Sequence, residues 1–362
     1  MGVGKSRFED IALTELDHLT AAIEEQALDG PVDLSKLLIR AVGNNLSMVL
    51  FSERYDYEDN DRIKLEAAVD QFVAHLKLGA GLQTICPTLA ALMVKLKVGP
   101  MKAMMDSVDI MTAIMKMRIK RHRTKKVEKI DFQPEDILDA LLVAQESMAT
   151  IYTDDHIVAN LVALSIAGTG TLIATLEWTM ALMAEHQEVQ SRVQSELDSL
   201  VAPGRLIAYA DRHQLPYTMA VIHEVHRWAT VAPLSPPRRA LDDVEVQGVI
   251  IPKDSNLMIN LWSVNYDPKL YPEPEVFDPM RFYDRKSNKF MKRDELMPFT
   301  IGKRSCPGQA MAETQLFAFV ANILKKFRIF PMVGEKVKLD RDGRQSTSGP
   351  AVLPMLRFFK RN

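Results

Sequence analysis

The run Phe299-Thr300-Ile301-Gly302-Lys303-Arg304-Ser305-Cys306-Pro307-Gly308 places one cysteine between two glycines, with an arginine two residues before it. A cysteine thiolate is a strong iron ligand, and it stays deprotonated best where backbone N–H groups and a helix N-terminus face the sulfur. Pro307 suits the first position of a helix, and apolar residues recur at helical spacing from Gln309 to Lys326. The sequence therefore predicts an iron-bound thiolate at Cys306.

The neighbours of Cys306 suit a flat macrocycle around that iron. Gly302 and Gly308 let the backbone come close to such a ring. Arg304 is placed to pair with an anionic propionate, and Phe299 is placed to shield one side of the sulfur from water. Because five positions of an FxxGxRxCxG pattern match together, we expect a haem site and disfavour the alternative, a buried free cysteine beside a turn.

At this loop the chain resembles the cytochrome P-450 superfamily. The resemblance implies haem b as cofactor, a mainly α fold with a small β-sheet, and a cysteine ligand whose electron push favours O–O cleavage. It covers essentially the whole chain, but the family's membrane anchor, proline-rich hinge, first strands and WxxxR helix have no counterpart in it. We therefore expect residues 1–362 to form one domain of an N-terminally truncated isoform or an incomplete gene model.

Glu224 and Arg227 lie three residues apart, on one face of a predicted helix. A generic surface ion pair at this spacing contributes little. In the family, however, an ExxR pair and an arginine from a later proline-rich segment lock the core on the haem side. The resemblance assigns that later position to Arg281.

Two glycines lie within Ala167-Gly168-Thr169-Gly170-Thr171, inside the longest predicted helix. Each lowers helix stability by roughly 1 kcal/mol against alanine, which invites a functional explanation. The resemblance implies that this segment crosses the oxygen-binding face of the haem. Gly168 would make room for dioxygen, and the Thr171 hydroxyl would help to deliver protons. The family usually has an acid immediately before that threonine, and Gly170 in its place puts the proton relay in doubt.

The segment from Val231 to Arg239 is similar to the family's segment that lines the substrate pocket and then supplies a propionate contact, here Arg238. Together with residues 260–268, it is most similar to the microsomal, drug-metabolising and steroid-hydroxylating branch. The resemblance implies that Ala167, Val231 and Leu234 border the substrate.

Composition is that of an ordinary globular chain, with 47% hydrophobic and 25% charged residues. A net charge of −2 gives no argument for a nucleic-acid partner. The two cysteines cannot form a disulfide framework if Cys306 binds iron, which favours a reducing compartment, and Cys86 is predicted to be a buried core thiol. Residues 157–176 have the length of a membrane span, but their polar residues and acidic flanks favour a core helix.

Helical periodicity dominates the chain up to about Trp228. Helices are predicted over residues 8–28, 34–51, 62–78, 100–121, 135–147, 154–186, 188–200 and 216–228. Breaks are predicted at Gly79 to Gly81 and at Pro203-Gly204. After Pro233 the pattern changes, and residues 244–251 and 256–261 predict two short strands.

A basic cluster lies at the end of one of these helices. Its members are Lys116, Arg118, Lys120, Arg121, Arg123, Lys125 and Lys126. A solvated helix end is the favoured interpretation, and a surface that faces a membrane or an acidic partner is the alternative.

Together these features predict a haem-thiolate monooxygenase that oxidises small lipophilic substrates, either xenobiotic or similar to steroids and fatty acids. The resemblance implies an NADPH-dependent flavoprotein reductase, cytochrome b5 and a membrane surface as partners, at the cytoplasmic face of the endoplasmic reticulum. Two alternatives stay open. One is a truncated, non-catalytic form with weak haem binding, and the other is a redox-neutral haem isomerase or dehydratase, which would not need an acid at position 170.

Overall fold

The computed structural model describes residues 5–128, 132–200, 205–337, 339 and 355–361. These residues are mostly helical. Their α-helices are α1 Lys5–Asp29, α2 Leu34–Phe51, α3 Asn60–Ile85, α4 Pro87–Leu96, α5 Gly99–Glu128, α6 Ile137–Ser147, α7 Asp154–Glu185, α8 Gln187–Leu200, α9 Pro216–Ala229, α10 Leu261–Asn265 and α11 Gln309–Lys326.

The central element is α7, which contacts α2, α5, α9 and α11. Its second half, from Leu172 to Ala184, is almost entirely buried, and Trp178 is 0% exposed. A helix that is apolar on all sides must be surrounded by protein or by lipid. By length and composition α7 is the one described helix that could cross a membrane. Its packing in the core agrees with the sequence interpretation.

A second hydrophobic cluster joins α2, α3, α5 and α6 to the first half of α7. It includes Leu46, Met115, Leu138 and Leu161. This cluster fixes α5 and α6 relative to the helix that carries the candidate oxygen-binding segment.

Acidic and hydroxyl residues begin several of these helices. Asp33, Asp59, Asp136 and Thr153 are the N-caps of α2, α3, α6 and α7, and each side chain accepts a hydrogen bond from a backbone N–H three residues later. Such caps satisfy N–H groups that the helix itself leaves without partners.

The strands of the described residues form four antiparallel pairs. The pairs are β1 Arg238–Arg239 with β4 Asn256–Leu257, β2 Val244–Val246 with β3 Val249–Ile251, β5 Tyr283–Asp284 with β6 Lys289–Phe290, and β7 Phe327–Phe330 with β8 Arg357–Lys360. The predicted fold class, mainly α with a small amount of β-sheet, is confirmed.

The two predicted strands are wrong in detail. Residues 244–251 form a hairpin, because Gln247 and Gly248 both take positive φ angles, 50° and 82°, which suit a tight two-residue turn. The second predicted strand ends early at Leu257, and Leu261 already begins α10.

The predicted break at Gly79 to Gly81 is also wrong, because α3 continues through it to Ile85. A Cβ on Gly79 would lie 2.4 Å from Met104 Sδ, so this glycine allows α3 to pack closely on α5. Sequence periodicity missed α4, which starts at Pro87. Cys86 lies between the two helices with intermediate exposure, and so it is not the predicted buried thiol. The break at Pro203-Gly204 lies outside the described residues.

Candidate active site

Cys306 lies in a tight loop that leads directly into α11. Residues 302–304 form one 3-10 turn, and the Ser305 N–H donates to the Gly302 carbonyl at 3.0 Å. The Cys306 N–H donates to the Phe299 carbonyl at 2.9 Å. Gly302 has a φ of 80°, which a glycine adopts without strain. The loop therefore closes on itself and holds the Cys306 backbone in place.

The start of α11 faces the sulfur. Gly308 is the N-cap of this helix, and a Cβ built on it would lie 3.9 Å from Cys306 Sγ. The first N–H groups of a helix have no partners within the helix and carry partial positive charge. Cys306 is exposed, so its sulfur is available as a ligand.

Phe299 attaches the loop to α9. Its ring packs edge-on against the His226 ring, with centroids 5.7 Å apart. Burial, and then the nearby His223, lower the pKa of His226 to about 3, so this ring is neutral at physiological pH. The structure gives Phe299 a packing role, and its role as a shield for the sulfur stays a prediction.

The two arginines predicted to bind propionates meet at one edge of the loop. Arg238 Nη2 donates to Thr300 Oγ1 at 3.3 Å and to the Arg304 carbonyl at 3.5 Å. Arg304 itself is exposed. The strand that carries Arg238 is thus tied to the loop that carries Cys306.

An open face of small side chains runs along the first half of α7. Ala159, Ala163, Ala167 and Thr171 recur one turn apart and are exposed, although most other positions of this helix are not. Thr171 Oγ1 donates to the Ala167 carbonyl at 2.9 Å. The face presents small side chains and the hydroxyl of Thr171.

The two glycines of α7 differ in their surroundings. A Cβ on Gly168 would lie 3.2 Å from both terminal carbons of Leu46, so this glycine lets α7 approach α2. Its predicted role in making room for dioxygen stays a prediction. A Cβ on Gly170 would meet nothing within 4 Å. Gly170 lines a cavity of about 440 Å³ between α2, α3, α5 and α7, which Glu66 and Asp70 also line.

Glu224 and Arg227 form a fully buried ion pair on α9, and both side chains are 0% exposed. The Arg227 guanidinium also donates to the carbonyls of Asn265 and Pro274, each at 2.9 Å. Arg281 Nε lies 3.6 Å from Glu224 Oε1. Burial raises the pKa of Glu224, against the opposing effect of Arg227. The expected group of one acid and two arginines is present.

Sequence reasoning missed part of this network. Asn265 Nδ2 donates to Thr230 Oγ1 at 3.0 Å, and both residues are buried. The Asp278 N–H donates to Glu224 Oε1 at 2.8 Å. No periodic pattern identifies these partners, since Thr230 caps α9, Asn265 ends the short helix α10 and Asp278 precedes a 3-10 turn, and the three meet only in the fold.

The residues present fit a haem b group. Cys306 supplies one accessible thiolate donor beside a helix N-terminus. Arg238 and Arg304 lie at the edge of the same loop, where propionates would need positive charge. The small residues of α7 leave an open apolar face. On this basis Cys306 would hold the iron, and Arg238 and Arg304 would hold the propionates.

Comparison with known proteins gives one family. The family model described as Cytochrome P450 matches residues 1–353. The chain is 32% identical over 341 residues to cytochrome P450 2J5 of Mus musculus, a match that covers 93% of this chain and 66% of the relative.

Two further relatives agree. The chain is 31% identical over 347 residues to cytochrome P450 2J2 of Homo sapiens, with 93% of this chain and 66% of the relative covered. It is 33% identical over 360 residues to cytochrome P450 2D20 of Mesocricetus auratus, with 98% and 69% covered. The chain thus spans about two thirds of the length of these relatives. With the Cys306 loop and the match over residues 1–353, the chain belongs to the cytochrome P450 family, in its microsomal branch.

Proposed function

We propose that this protein is a haem-thiolate monooxygenase that transfers one atom of dioxygen to a small lipophilic substrate. The observation that carries the proposal is the exposed Cys306 sulfur at the start of α11, in a loop bonded to Arg238. A thiolate in this position is a suitable axial ligand for haem.

When bound, haem would activate dioxygen with electrons that a partner protein delivers. Cys306, in the loop before the α11 N-terminus, would hold the group through its sulfur. Arg238 and Arg304 would bind its carboxylates. Thr171 holds a proton on Oγ1, which at rest donates to the Ala167 carbonyl. Gly170 supplies no acid to replenish that proton.

The substrate that we propose is apolar, and it is either a xenobiotic or a molecule similar to a steroid or fatty acid. Ala167 offers a small exposed side chain on α7, and Leu234 is 50% exposed in the segment after α9. Val231, three residues before Leu234, is partly buried and packs against the main hydrophobic core. An apolar surface of this kind binds ligands chiefly through the hydrophobic effect.

The proposed electron donors are an NADPH-dependent flavoprotein reductase and cytochrome b5. Lys303 and Arg304 are exposed in the turn next to Cys306. A basic surface close to the thiolate favours an acidic donor surface and steers its approach.

A membrane surface is the further partner that we propose, at the cytoplasmic face of the endoplasmic reticulum. Around α4, Leu92 is 50% exposed, Leu96 is 60% exposed and Ile85 is 86% exposed. Lys95 and Lys97 lie among these apolar residues. Exposed leucines with interspersed lysines suit the headgroup boundary of an anionic lipid surface.

A second candidate activity is a redox-neutral rearrangement of a substrate that already contains oxygen. Gly170 favours it, because this position lacks a carboxylate and opens into the cavity between α3 and α7. Such an activity needs no external electrons and no proton relay to dioxygen.

The test is a reconstitution with haem, a flavoprotein reductase and NADPH, followed by mass spectrometry of a panel of lipophilic compounds under isotopically labelled dioxygen. The monooxygenase proposal predicts products that carry one labelled oxygen atom and require NADPH. Products that form without NADPH and without the label would instead establish the redox-neutral activity. A haem-loaded protein with no product of either kind would contradict both.

A further inference from the structure

We propose that His122, Asp136 and Asp139 form a binding site for a divalent transition metal ion, with Zn²⁺ the best fit, where the end of α5 meets the start of α6. The site is separate from the candidate haem site. Its three side chains come from two helices, and their free ligand atoms all lie within 4.8 Å of one another.

Two distances from the His122 ring describe the geometry of the site. His122 Nε2 lies 3.1 Å from Asp136 Oδ2 and 4.0 Å from Asp139 Oδ1. Two ligands that share one tetrahedral Zn²⁺ at about 2.1 Å lie roughly 3.4 Å apart, so the observed distances lie on either side of the required one. Small side-chain rotations would complete the geometry.

Backbone contacts aim each of the three groups at the same point. His122 Nδ1 contacts the Arg118 carbonyl at 3.1 Å, and a carbonyl only accepts, so Nδ1 carries the proton and Nε2 faces the two carboxylates. The Asp139 N–H donates to Asp136 Oδ1 at 2.8 Å, and the Glu135 N–H donates to Asp139 Oδ2 at 3.1 Å. Each carboxylate therefore keeps one oxygen for the site. Metal-binding histidines are oriented by such outer contacts.

The observation that points to a cation is the Asp139 Oδ1 atom. The Asp139 side chain is 0% exposed, and its Oδ1 has no hydrogen-bond donor among the described residues. A buried carboxylate oxygen without a donor is costly. A metal ion between Asp139, Asp136 and His122 would satisfy this oxygen and neutralise both carboxylates.

Two basic side chains near the site are paired with other acids and so do not compete with a metal ion. The nearby Lys125 is directed to Glu135, with Nζ 3.0 Å from Glu135 Oε2. Arg123 is paired with Asp154 at 2.6 Å. These two members of the basic cluster are thus held outside the site. Imidazole and carboxylate ligands together suit Zn²⁺ and Mn²⁺ better than Ca²⁺ or Mg²⁺.

The competing occupant is a proton. A doubly protonated His122 would donate from Nε2 to Asp136 Oδ2, which lies 3.1 Å away. That arrangement leaves Asp139 Oδ1 without a donor, whereas a metal ion serves all three groups. If a proton occupies the site, zinc should bind weakly. If the site binds metal, zinc should bind tightly.

The test uses the full-length chain, with haem bound, freed of metal by a chelator and titrated with ZnSO₄ by isothermal calorimetry. We expect one site per chain, and a rise in melting temperature when zinc is added. His122→Phe should weaken zinc binding by more than about a hundredfold, since loss of an outer contact alone costs about 10- to 100-fold. Asp139→Asn keeps the size and the Glu135 contact, and we expect it to weaken binding by at least about tenfold.

His156→Gln removes an exposed histidine elsewhere on the protein and serves as the matched control. It should bind zinc as the parent does. The proposal is overturned if the parent binds no zinc, or if Asp139→Asn and His122→Phe bind it as tightly as the control. Nuclear magnetic resonance that shows His122 doubly protonated at neutral pH in the presence of zinc would identify the proton as the occupant instead.

Discussion

Arg227 and Glu224 face each other on one side of α9 through two hydrogen bonds, 2.7 and 2.8 Å long, and neither side chain has any exposed surface. The carboxylate accepts both bonds from one guanidinium, which is the strongest geometry for such a pair. The same guanidinium binds the carbonyls of Asn265, at the end of α10, and of Pro274, in the irregular stretch that follows. The pair therefore joins α9 to the segment that precedes the Cys306 loop.

Removal of one member of this pair should destabilise the protein strongly. Glu224→Gln leaves Arg227 buried and charged without a counter-ion, and loss of one partner from a buried pair costs about 3–5 kcal/mol. The free energy of unfolding in urea measures this. Arg239→Ala breaks an exposed pair with Asp254 and is the control, with an expected change below about 1 kcal/mol. Equal effects of the two substitutions would show that the buried pair has no special role.

Stability should fall as the pH decreases from about 6.5 towards 3. Burial lowers the pKa of His226 to about 3, from an ordinary value near 6.5. In this window the unfolded chain binds a proton at His226 that the folded chain does not bind, so acid favours unfolding.

His226→Phe keeps the aromatic contact with Phe299 and removes the titrating group. Its free energy of unfolding should change less between pH 7 and pH 5 than that of the parent, by about 1 kcal/mol, because the His226 ring keeps some exposure. Parallel pH profiles of parent and variant would show that another group causes the acid sensitivity.

A larger side chain at position 168 should destabilise the contact between α7 and α2. The Cβ of Gly168→Val would lie 3.2 Å from Leu46, and overpacking of a core costs about 1–3 kcal/mol. Thermal unfolding measures the loss. Leu46→Ala in the same chain should recover part of it, and Gly170→Val, which meets no neighbour, is the matched control. If Leu46→Ala gives no recovery, the cost at position 168 does not come from this packing.

An acid at position 170 should improve the coupling of electrons to product. Gly170→Glu fits without displacing a neighbour, because a Cβ there meets nothing within 4 Å. A carboxyl beside Thr171 can replenish its proton, and product formed per NADPH consumed should rise by roughly twofold to tenfold, within the effect of a positioned general acid.

Gly170→Gln is the control, since it has the same size and no acidic proton. An equal gain in the Gln variant would mean that filling the space matters and proton supply does not. No gain in either variant would mean that water or Thr169, which also lines the cavity, already serves the relay.

Local signals explain what the sequence predicted well. The predicted bounds of α2 match the structure at both ends, since an aspartate cap at Asp33 stands next to strong helical periodicity. The apolar periodicity from Gln309 to Lys326 matches α11, but Pro307 lies before its N-cap, Gly308, and not at its first position. The residues at the thiolate loop were predictable for the same reason, because Phe299, Arg304 and Cys306 lie within one short segment.

Tertiary contacts explain the features that the sequence alone could not predict. Gly79 was expected to break α3, but it lies within the helix because Met104 of α5 occupies the space of a side chain. Likewise, the sequence alone could not show that Gly168 faces Leu46, since that depends on how α2 crosses α7. The cluster around His122 is not predictable from the sequence, because His122 lies 14 and 17 residues before Asp136 and Asp139 and on a different helix.

The most direct measurement is the absorption spectrum of the haem-loaded, reduced protein under carbon monoxide. If Cys306 is the axial ligand, the Soret band of the parent should show the strong red shift of thiolate ligation. Cys306→Ser should lose that shift, and Cys86→Ser, which changes the other cysteine, should keep it. A histidine-type spectrum in the parent, or a red-shifted band that survives in Cys306→Ser, would contradict the assignment of Cys306 as the iron ligand.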